Sequence, residues 1–171
     1  GELLEAAEAL GLAREDVRQL DLPDGALGGS LAELTDVIAE EIDRFRPTIV
    51  AVTALEEPHP DHAAAAQALR AALRRTPQRP LHLEYPVWLW ASWPFSSATS
   101  LSKGAVSLAR SRMLSVPVNG VARVKSAALD AHATQMGAAG DTLALPPDVV
   151  SRAQRDELYF VIDDPAKVNA R

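Results

Sequence analysis

Residues 48–53 read Thr-Ile-Val-Ala-Val-Thr, a continuous run of small and β-branched residues. Such a run is typical of a strand that is buried on both faces of a parallel sheet. The loop Leu55–Pro60 follows, and the alanine-rich segment Asp61–Arg75 then has the composition of a helix that ends before Pro77. A strand, a short loop and a helix in this order predict a βαβ unit, and therefore an α/β fold.

The segments on either side extend this pattern. Apolar residues at helical spacing, alternating runs and turn residues mark where each element begins and ends. The sequence predicts helices at Glu2–Leu10, Leu31–Phe45, Ala122–Met136 and Asp148–Arg155, and strands at Val17–Leu22, Leu81–Trp90, Arg112–Val118 and Glu157–Ile162. We expect one domain over residues 1–171, with a long surface loop or lid at residues 91–104.

Composition narrows the class of protein. The chain has 171 residues, a formal net charge of -6 and no cysteine. The acidic balance argues against a large surface for nucleic acid or anionic lipid, and it favours a small-molecule substrate or a protein partner. Without cysteine, any metal must be bound by His, Asp or Glu. No apolar run is long enough to cross a bilayer, so we expect a soluble, cytoplasmic protein.

Two of the four histidines, His59 and His62, lie at the junction between the first strand-like run and its helix. Open α/β sheets bind ligands at the carboxyl ends of their strands, where this loop begins. Two imidazoles with a carboxylate between them can bind a metal and exchange a proton at neutral pH. One interpretation places His62 on a metal and His59 beside it, facing a substrate. The alternative is that Asp61 only caps the helix and both rings are solvated.

The stretch His59-Pro60-Asp61-His62, between a strand and an alanine-rich helix, resembles the second signature of the PIG-L/LmbE-like zinc-dependent de-N-acetylases. Other segments resemble the family in the same order along the chain. They are Glu2 with Ala6, Ala7, Leu10 and Gly11, the turn Leu20–Gly25, the run Glu84–Trp90, the segment Lys125–Gln135, and Arg155–Glu157 with Phe160. The resemblance therefore extends over nearly the whole sequence.

This resemblance implies a Rossmann-like fold with a mostly parallel sheet and helices on both faces. Family members begin with a strand that ends in His-Pro-Asp-Asp-Glu, which supplies two zinc ligands and the general base. The present sequence has no such segment. We therefore expect an N-terminally truncated copy that lacks the leading strand unit, with the other zinc ligands coming from a missing N-terminal segment.

The resemblance also implies roles for individual residues. His62 matches the third protein ligand of zinc, and His59 matches the histidine that stabilises the oxyanion or protonates the leaving amine. Asp61 is expected to orient His59 during catalysis. In the family, a metal-activated water attacks the amide of an N-acetylated sugar or sugar conjugate, which yields acetate and a free amino sugar.

Two further residues, His132 and Gln135, match family positions that contact the substrate. A structural role for His132, with its ring bonded to a backbone carbonyl, is an equal alternative. A second hypothesis for the whole chain is a non-catalytic sugar-binding or interaction module that has lost the first metal-binding motif. A nucleotide-binding Rossmann domain is disfavoured because no glycine-rich phosphate loop follows any strand. The sequence leaves homo-oligomerisation open.

Overall fold

A computed structural model describes residues 1–89, 112–136, 155 and 157–162 of the chain. Over these residues the protein combines helices with a four-stranded sheet, which confirms the α/β class. The helices are α1 (Glu2–Ala9), α2 (Leu31–Phe45), α3 (Pro60–Arg75) and α4 (Ala122–Asp130), and the strands are β1 (Ile49–Thr53), β2 (Leu81–Tyr85), β3 (Arg112–Val116) and β4 (Glu157–Ile162).

The described strands form one sheet in the order β1-β2-β4-β3. β1 pairs with β2 in parallel, with Ile49 opposite Leu81, as a βαβ unit requires. β2 pairs with β4 in the antiparallel direction, with Glu84 opposite Phe160. The sheet over the described residues is therefore mixed, and the parallel pair is the one whose crossover contains α3.

The chain divides into two compact units. The helical unit comprises Gly1–Asp21 and Val116–Glu157, and the sheet unit comprises Leu22–Ser115 and Leu158–Arg171. In the helical unit α1 packs against α4. The carboxylate of Glu2 accepts hydrogen bonds from the amide and the hydroxyl of Thr134, at 2.8 and 2.7 Å.

The core of the sheet unit lies where α2, α3 and β1 meet. Ile42 of α2 and Leu69, Ala72 and Leu73 of α3 are buried together, and Val50 and Val52 of β1 pack against them. Helix α2 has the bounds that the sequence predicts, and its apolar spacing places Leu34 and Ile42 inside. This packing sets the direction of α3 and so the position of its first turn.

The expectation that β1 is buried on both faces is wrong. Val50 and Val52 point towards the helices, whereas Ile49 remains 55 % exposed and Ala51 is exposed as well. β1 is the last strand at its end of the described sheet, and its side chains alternate between the two faces. The β-branched run therefore predicted the strand but not the burial of its second face.

Two predicted strands differ in the structure. Val17–Leu22 forms no strand, and Asp21 adopts a positive φ of 51°, which an extended chain cannot contain. The strand predicted at Leu81–Trp90 ends at Tyr85. Pro86 has no N–H to donate, and the amides of residues 87–89 donate to the carboxylate of Glu57. Trp90 lies outside the described residues.

The helix predicted at Ala122–Met136 ends at Asp130 and continues as turns. The amide of Thr134 donates to Glu2 instead of to a helical carbonyl, which favours this early end. The strand predicted at Arg112–Val118 is confirmed over Arg112–Val116, at the end of the described sheet. The predicted lid at residues 91–104 lies outside the described residues. The helix predicted at Asp148–Arg155 lies outside them as well, except for Arg155, which forms a bend.

A buried ion pair joins α3 to β2. The guanidinium of Arg70 donates to both carboxylate oxygens of Glu84, from Nε at 2.7 Å and from Nη2 at 2.9 Å. The same carboxylate accepts the amide of Leu55, the second residue after β1, at 3.1 Å. Glu84 therefore fastens three elements together: the central strand, the helix and the beginning of the loop between β1 and α3.

His82 completes this cluster. Its Nε2 lies 3.3 Å from Glu84 Oε1, although neither ring nitrogen has a hydrogen-bond partner among the described residues. Burial raises the pKa of the Glu84 carboxyl, but the contacts with His82 and Arg70, the charge of Arg70 and the Leu55 amide outweigh it. The pKa of Glu84 is therefore held below its usual range.

Replacing Arg70 with methionine should leave the Glu84 carboxylate buried without its partner. We expect the free energy of unfolding at neutral pH to fall by about 3–5 kcal/mol, the usual cost of breaking a buried pair. Urea denaturation measures the change. Arg74→Met, on an exposed position of the same helix, should change stability by less than about 0.5 kcal/mol. Equal effects of the two variants would contradict this role for the ion pair.

The lowered pKa of Glu84 also predicts how stability depends on pH. Since the folded pKa lies below the unfolded one, the stabilisation is present above the ordinary glutamate pKa and is lost as pH falls through the folded pKa. Glu84→Gln should be less stable at neutral pH and should lose stability less steeply in that acidic window. Unfolding free energies measured across the window test this, and parallel curves for the two proteins would refute it.

Candidate active site

The loop between β1 and α3 begins with backbone bonds that continue the sheet. The amide of Ala54 donates to the carbonyl of Tyr85 at 2.8 Å, and the amide of Glu57 turns back to the carbonyl of Ala54 at 3.2 Å. Together with the bond from Leu55 to Glu84, these contacts fix the direction in which the loop leaves the sheet. The loop then delivers His59 and His62 to the start of α3.

His59 is the N-cap residue of α3. Its Nδ1 accepts a hydrogen bond from the amide of Asp61 at 3.3 Å, and Pro60 occupies the first helical position. Proline is favoured there because its missing N–H would have no helical partner. Because Nδ1 acts as an acceptor, a neutral His59 ring carries its proton on Nε2. His59 can therefore donate a hydrogen bond from that atom.

His62 lies on the first turn of α3, beside His59. The centroids of the two rings are 5.0 Å apart, and the ring planes are inclined by 42°. The backbone carbonyl of His62 accepts a hydrogen bond from the hydroxyl of Thr53 at 2.9 Å, which ties the helix start to the end of β1. Its side chain is 26 % exposed. The structure thus brings the two predicted histidines into one small cluster.

Glu57 is the buried partner of His62. Its Oε2 lies 3.1 Å from Nδ1 of His62, and its side chain has no exposed surface. The carboxylate also accepts the amides of Val87, Trp88 and Leu89, at 2.6, 2.9 and 3.1 Å. These are the three amides that turn away from the sheet after Pro86.

Sequence reasoning gave no role to Glu57. A glutamate in a loop between a strand and a helix looks like a surface residue, since glutamate is seldom fully buried without partners. The available signal was Pro86, which ends a strand and leaves the next amides in need of acceptors. That signal predicts that an acceptor is required there, but it does not say which residue supplies it.

The carboxylate of Asp61 is bonded elsewhere than the expected role requires. It accepts the amides of Gly25 and Leu27, at 2.6 and 2.9 Å, and so holds the turn after Pro23 against the start of α3. Its link to His59 runs through its backbone amide. In this structure Asp61 contacts His59 through its main chain, and its side chain holds the turn that contains Gly25 and Leu27. A role for the Asp61 carboxylate in orienting His59 during catalysis stays a prediction.

His132 and Gln135 belong to the helical unit, in the turns after α4. The amide of His132 donates to the carbonyl of Leu129 at 3.0 Å, and the His132 carbonyl accepts the amide of Gln135 at 3.0 Å. His132 is half-buried and Gln135 is exposed. Their contact with a substrate stays a prediction.

The described residues fit a metal ion only in part. Among them, no three His, Asp or Glu side chains are grouped so as to hold one. His62 by itself fits one ligand position, because Glu57 engages Nδ1 and leaves the Nε2 edge of a partly exposed ring. Carboxylate-bonded imidazoles of this kind are common among metal-ligating histidines. The described residues therefore fit one ligand of a metal site.

Comparison with known proteins supports the resemblance seen in the sequence. The family model described as PIG-L, GlcNAc-PI de-N-acetylase, matches part of the chain. Residues 1–73 match the PIG-L family. The matched region includes the Glu57, His59, Asp61 and His62 cluster, so the PIG-L-like part of the chain is the part that builds the candidate site.

The fold has a counterpart among solved structures. The crystal structure of a conserved protein from Thermus thermophilus superposes with a TM-score of 0.59 at 23 % sequence identity. The alignment covers 94 % of this chain and 70 % of that one. At this identity the likeness shows the fold alone.

No curated protein sequence matches the chain significantly. Within the described residues, none of the helices combines the length and apolar character that crossing a membrane requires.

Replacing Asp61 with alanine should release the turn that contains Gly25 and Leu27. Two amide bonds to a carboxylate are lost, so we expect unfolding to become easier by about 1–3 kcal/mol. Hydrogen exchange at the Gly25 and Leu27 amides should accelerate in the variant. Asp24→Ala, an exposed change in the same turn, serves as the control and should leave exchange at Leu27 unchanged. Unaltered exchange in Asp61→Ala would show that the carboxylate does not hold the turn.

Proposed function

We propose that this chain is part of a metal-dependent de-N-acetylase that removes an acetyl group from an N-acetylated sugar or sugar conjugate. In this proposal His62 supplies one metal ligand and His59 acts on the amide. The other ligands come from residues outside those described here. Zinc is the metal that the family resemblance implies.

The observation that carries the proposal is the pair of adjacent imidazoles with opposite hydrogen-bonding edges. His59 accepts at Nδ1 and so has Nε2–H to donate, whereas His62 meets a carboxylate at Nδ1 and so has an Nε2 lone pair to give. One ring therefore suits an anionic oxygen and the other suits a cation. Metal-assisted amide hydrolysis needs a bound cation and, close to it, a hydrogen-bond donor for the oxygen that becomes negatively charged.

His59 has the chemistry to stabilise the reacting amide. As water adds to the carbonyl carbon, negative charge develops on the carbonyl oxygen, and a donor already in place lowers the energy of that state. The Nε2–H of His59 is such a donor, and the cap bond to the Asp61 amide holds the ring in position. The carbon–nitrogen bond then breaks, and the amine leaves with a proton that derives from the attacking water.

The metal's contribution would be to polarise the amide carbonyl and to make hydroxide available at neutral pH. What this chain supplies towards it is an oriented imidazole at His62. The Thr53 hydroxyl on the His62 carbonyl and the Glu57 carboxylate on its ring hold both ends of the residue.

Replacing the two histidines separately tests the division of roles in the full-length protein. His62→Ala should lose bound zinc, measured by elemental analysis after gel filtration, and acetate release from N-acetylhexosamines should be lost with it. His59→Ala should keep its zinc and lose about 10²–10³-fold in kcat, the usual loss when one oxyanion donor is removed. Circular dichroism of both variants controls for folding.

The outcomes separate the enzyme from a binding module. Wild-type protein that binds N-acetylated sugars but holds no zinc and releases no acetate would favour the sugar-binding alternative. Undiminished turnover in His59→Ala would remove His59 from the reaction.

A further inference from the structure

We propose that Glu57 is a positioning residue that sets the tautomer and the orientation of His62. Its buried carboxylate keeps the proton of the His62 ring on Nδ1 and thereby turns the Nε2 lone pair outward. The part of this inference that concerns a metal rests on the proposed function. The part that concerns the tautomer does not, because it is a property of the metal-free protein.

The first argument is that the position of Glu57 is fixed independently of His62. Oε1 accepts the amides of Val87 and Leu89, and Oε2 accepts the amide of Trp88. Rotation of the carboxylate would break these backbone bonds in a place without solvent to replace them. The glutamate is therefore a rigid reference point to which the His62 ring adjusts.

The second argument concerns which atom carries the proton. An ionised carboxylate has only acceptors, so a hydrogen bond at 3.1 Å to Nδ1 of His62 requires the ring to be the donor. A neutral imidazole with its proton on Nδ1 has its lone pair on Nε2. Each oxygen of Glu57 then accepts two donors, and the carboxylate is fully used.

The third argument is the contrast with His59. Its ring centroid is only 5.0 Å away, yet its Nδ1 accepts from the Asp61 amide, which selects the other tautomer. The surroundings of these two histidines, one at the N-cap and one in the first turn of α3, therefore favour opposite tautomers. Glu57 is the residue that makes His62 differ from His59.

A purely structural role for Glu57 is the competing explanation, since its bonds to residues 87–89 alone could justify its burial. The test must therefore include a measurement that such a role would not change. The proton position on His62 is such a measurement, because the backbone bonds can form with either tautomer of the ring.

The experiment begins with the full-length wild-type protein, stripped of metal and labelled with 15N on histidine. Long-range 1H–15N NMR spectra, recorded above the pH range in which imidazoles protonate, report which nitrogen carries the proton. The His62→Ala spectrum assigns the signal of His62. We expect the Nδ1–H form at His62. A predominant Nε2–H form would overturn the inference.

The second step compares Glu57→Gln with Glu56→Gln, the same chemical change at the neighbouring, half-buried glutamate. A glutamine amide can donate to Nδ1 of His62, so the proton should shift towards Nε2 in Glu57→Gln. Zinc affinity, measured by titration against a competing chelator, should weaken about 10–100-fold, as for other lost partners of metal-ligating histidines. Glu56→Gln should match the wild type in both measurements.

The two proposals fail in different ways. If the wild type shows the Nδ1–H form and Glu57→Gln shifts it, but no zinc binds to either protein, the positioning role stands and the metal-dependent function fails. If zinc binds and Glu57→Gln changes neither the tautomer nor the affinity, the function stands and the role of Glu57 is refuted. Should Glu57→Gln fail to fold, the wild-type spectrum still decides the proton position.

Discussion

The position of the candidate site depends on the buried carboxylate of Glu84. It lies on β2, holds Arg70 of α3 by two hydrogen bonds and accepts the Leu55 amide at the start of the loop. These three contacts define where the loop leaves the sheet and how the helix approaches it. A charged pair is an expensive way to join two elements, but its geometry is specific where apolar packing alone would allow sliding.

A second buried carboxylate, that of Glu57, contacts the histidine cluster directly. Glu84 connects β2 to α3 and to the start of the loop, whereas Glu57 connects the chain after Pro86 to the ring of His62. Each of the two glutamates accepts at least one backbone amide that has no partner in the sheet: Glu84 accepts one, and Glu57 accepts three. Buried backbone N–H groups need acceptors, and the carboxylates that meet this need also order the side chains of the site.

Much of the frame could be predicted from the sequence because it follows from local periodicity. The bounds of α2, the strand after Pro47 and the helix after Pro60 were all visible in apolar spacing and turn residues. The exposed face of β1 and the early end of β2 were not, because they depend on which strands become neighbours and on where amides find acceptors. The conformational propensity of a segment depends on its own residues, whereas the burial of β1 and the end of β2 depend on neighbouring segments.

The site was predictable in the same uneven way. His59 and His62 could be found because their spacing and their place at a strand–helix junction resemble a known motif. Glu57 could not, since its contacts reach residues 87–89, some thirty positions along the chain. The partners of the Asp61 side chain could not be predicted for the same reason, because Gly25 and Leu27 belong to the turn that precedes α2, far from Asp61 in the sequence.

The bonds between Asp61 and that turn give the four-residue stretch a structural role besides the one proposed for its histidines. The side chain of Asp61 connects two segments more than thirty residues apart, and its main chain bonds to the cap histidine of α3. A substitution at Asp61 would therefore disturb the turn that precedes α2, whereas the ring of His62 bonds to Glu57 and not to that turn.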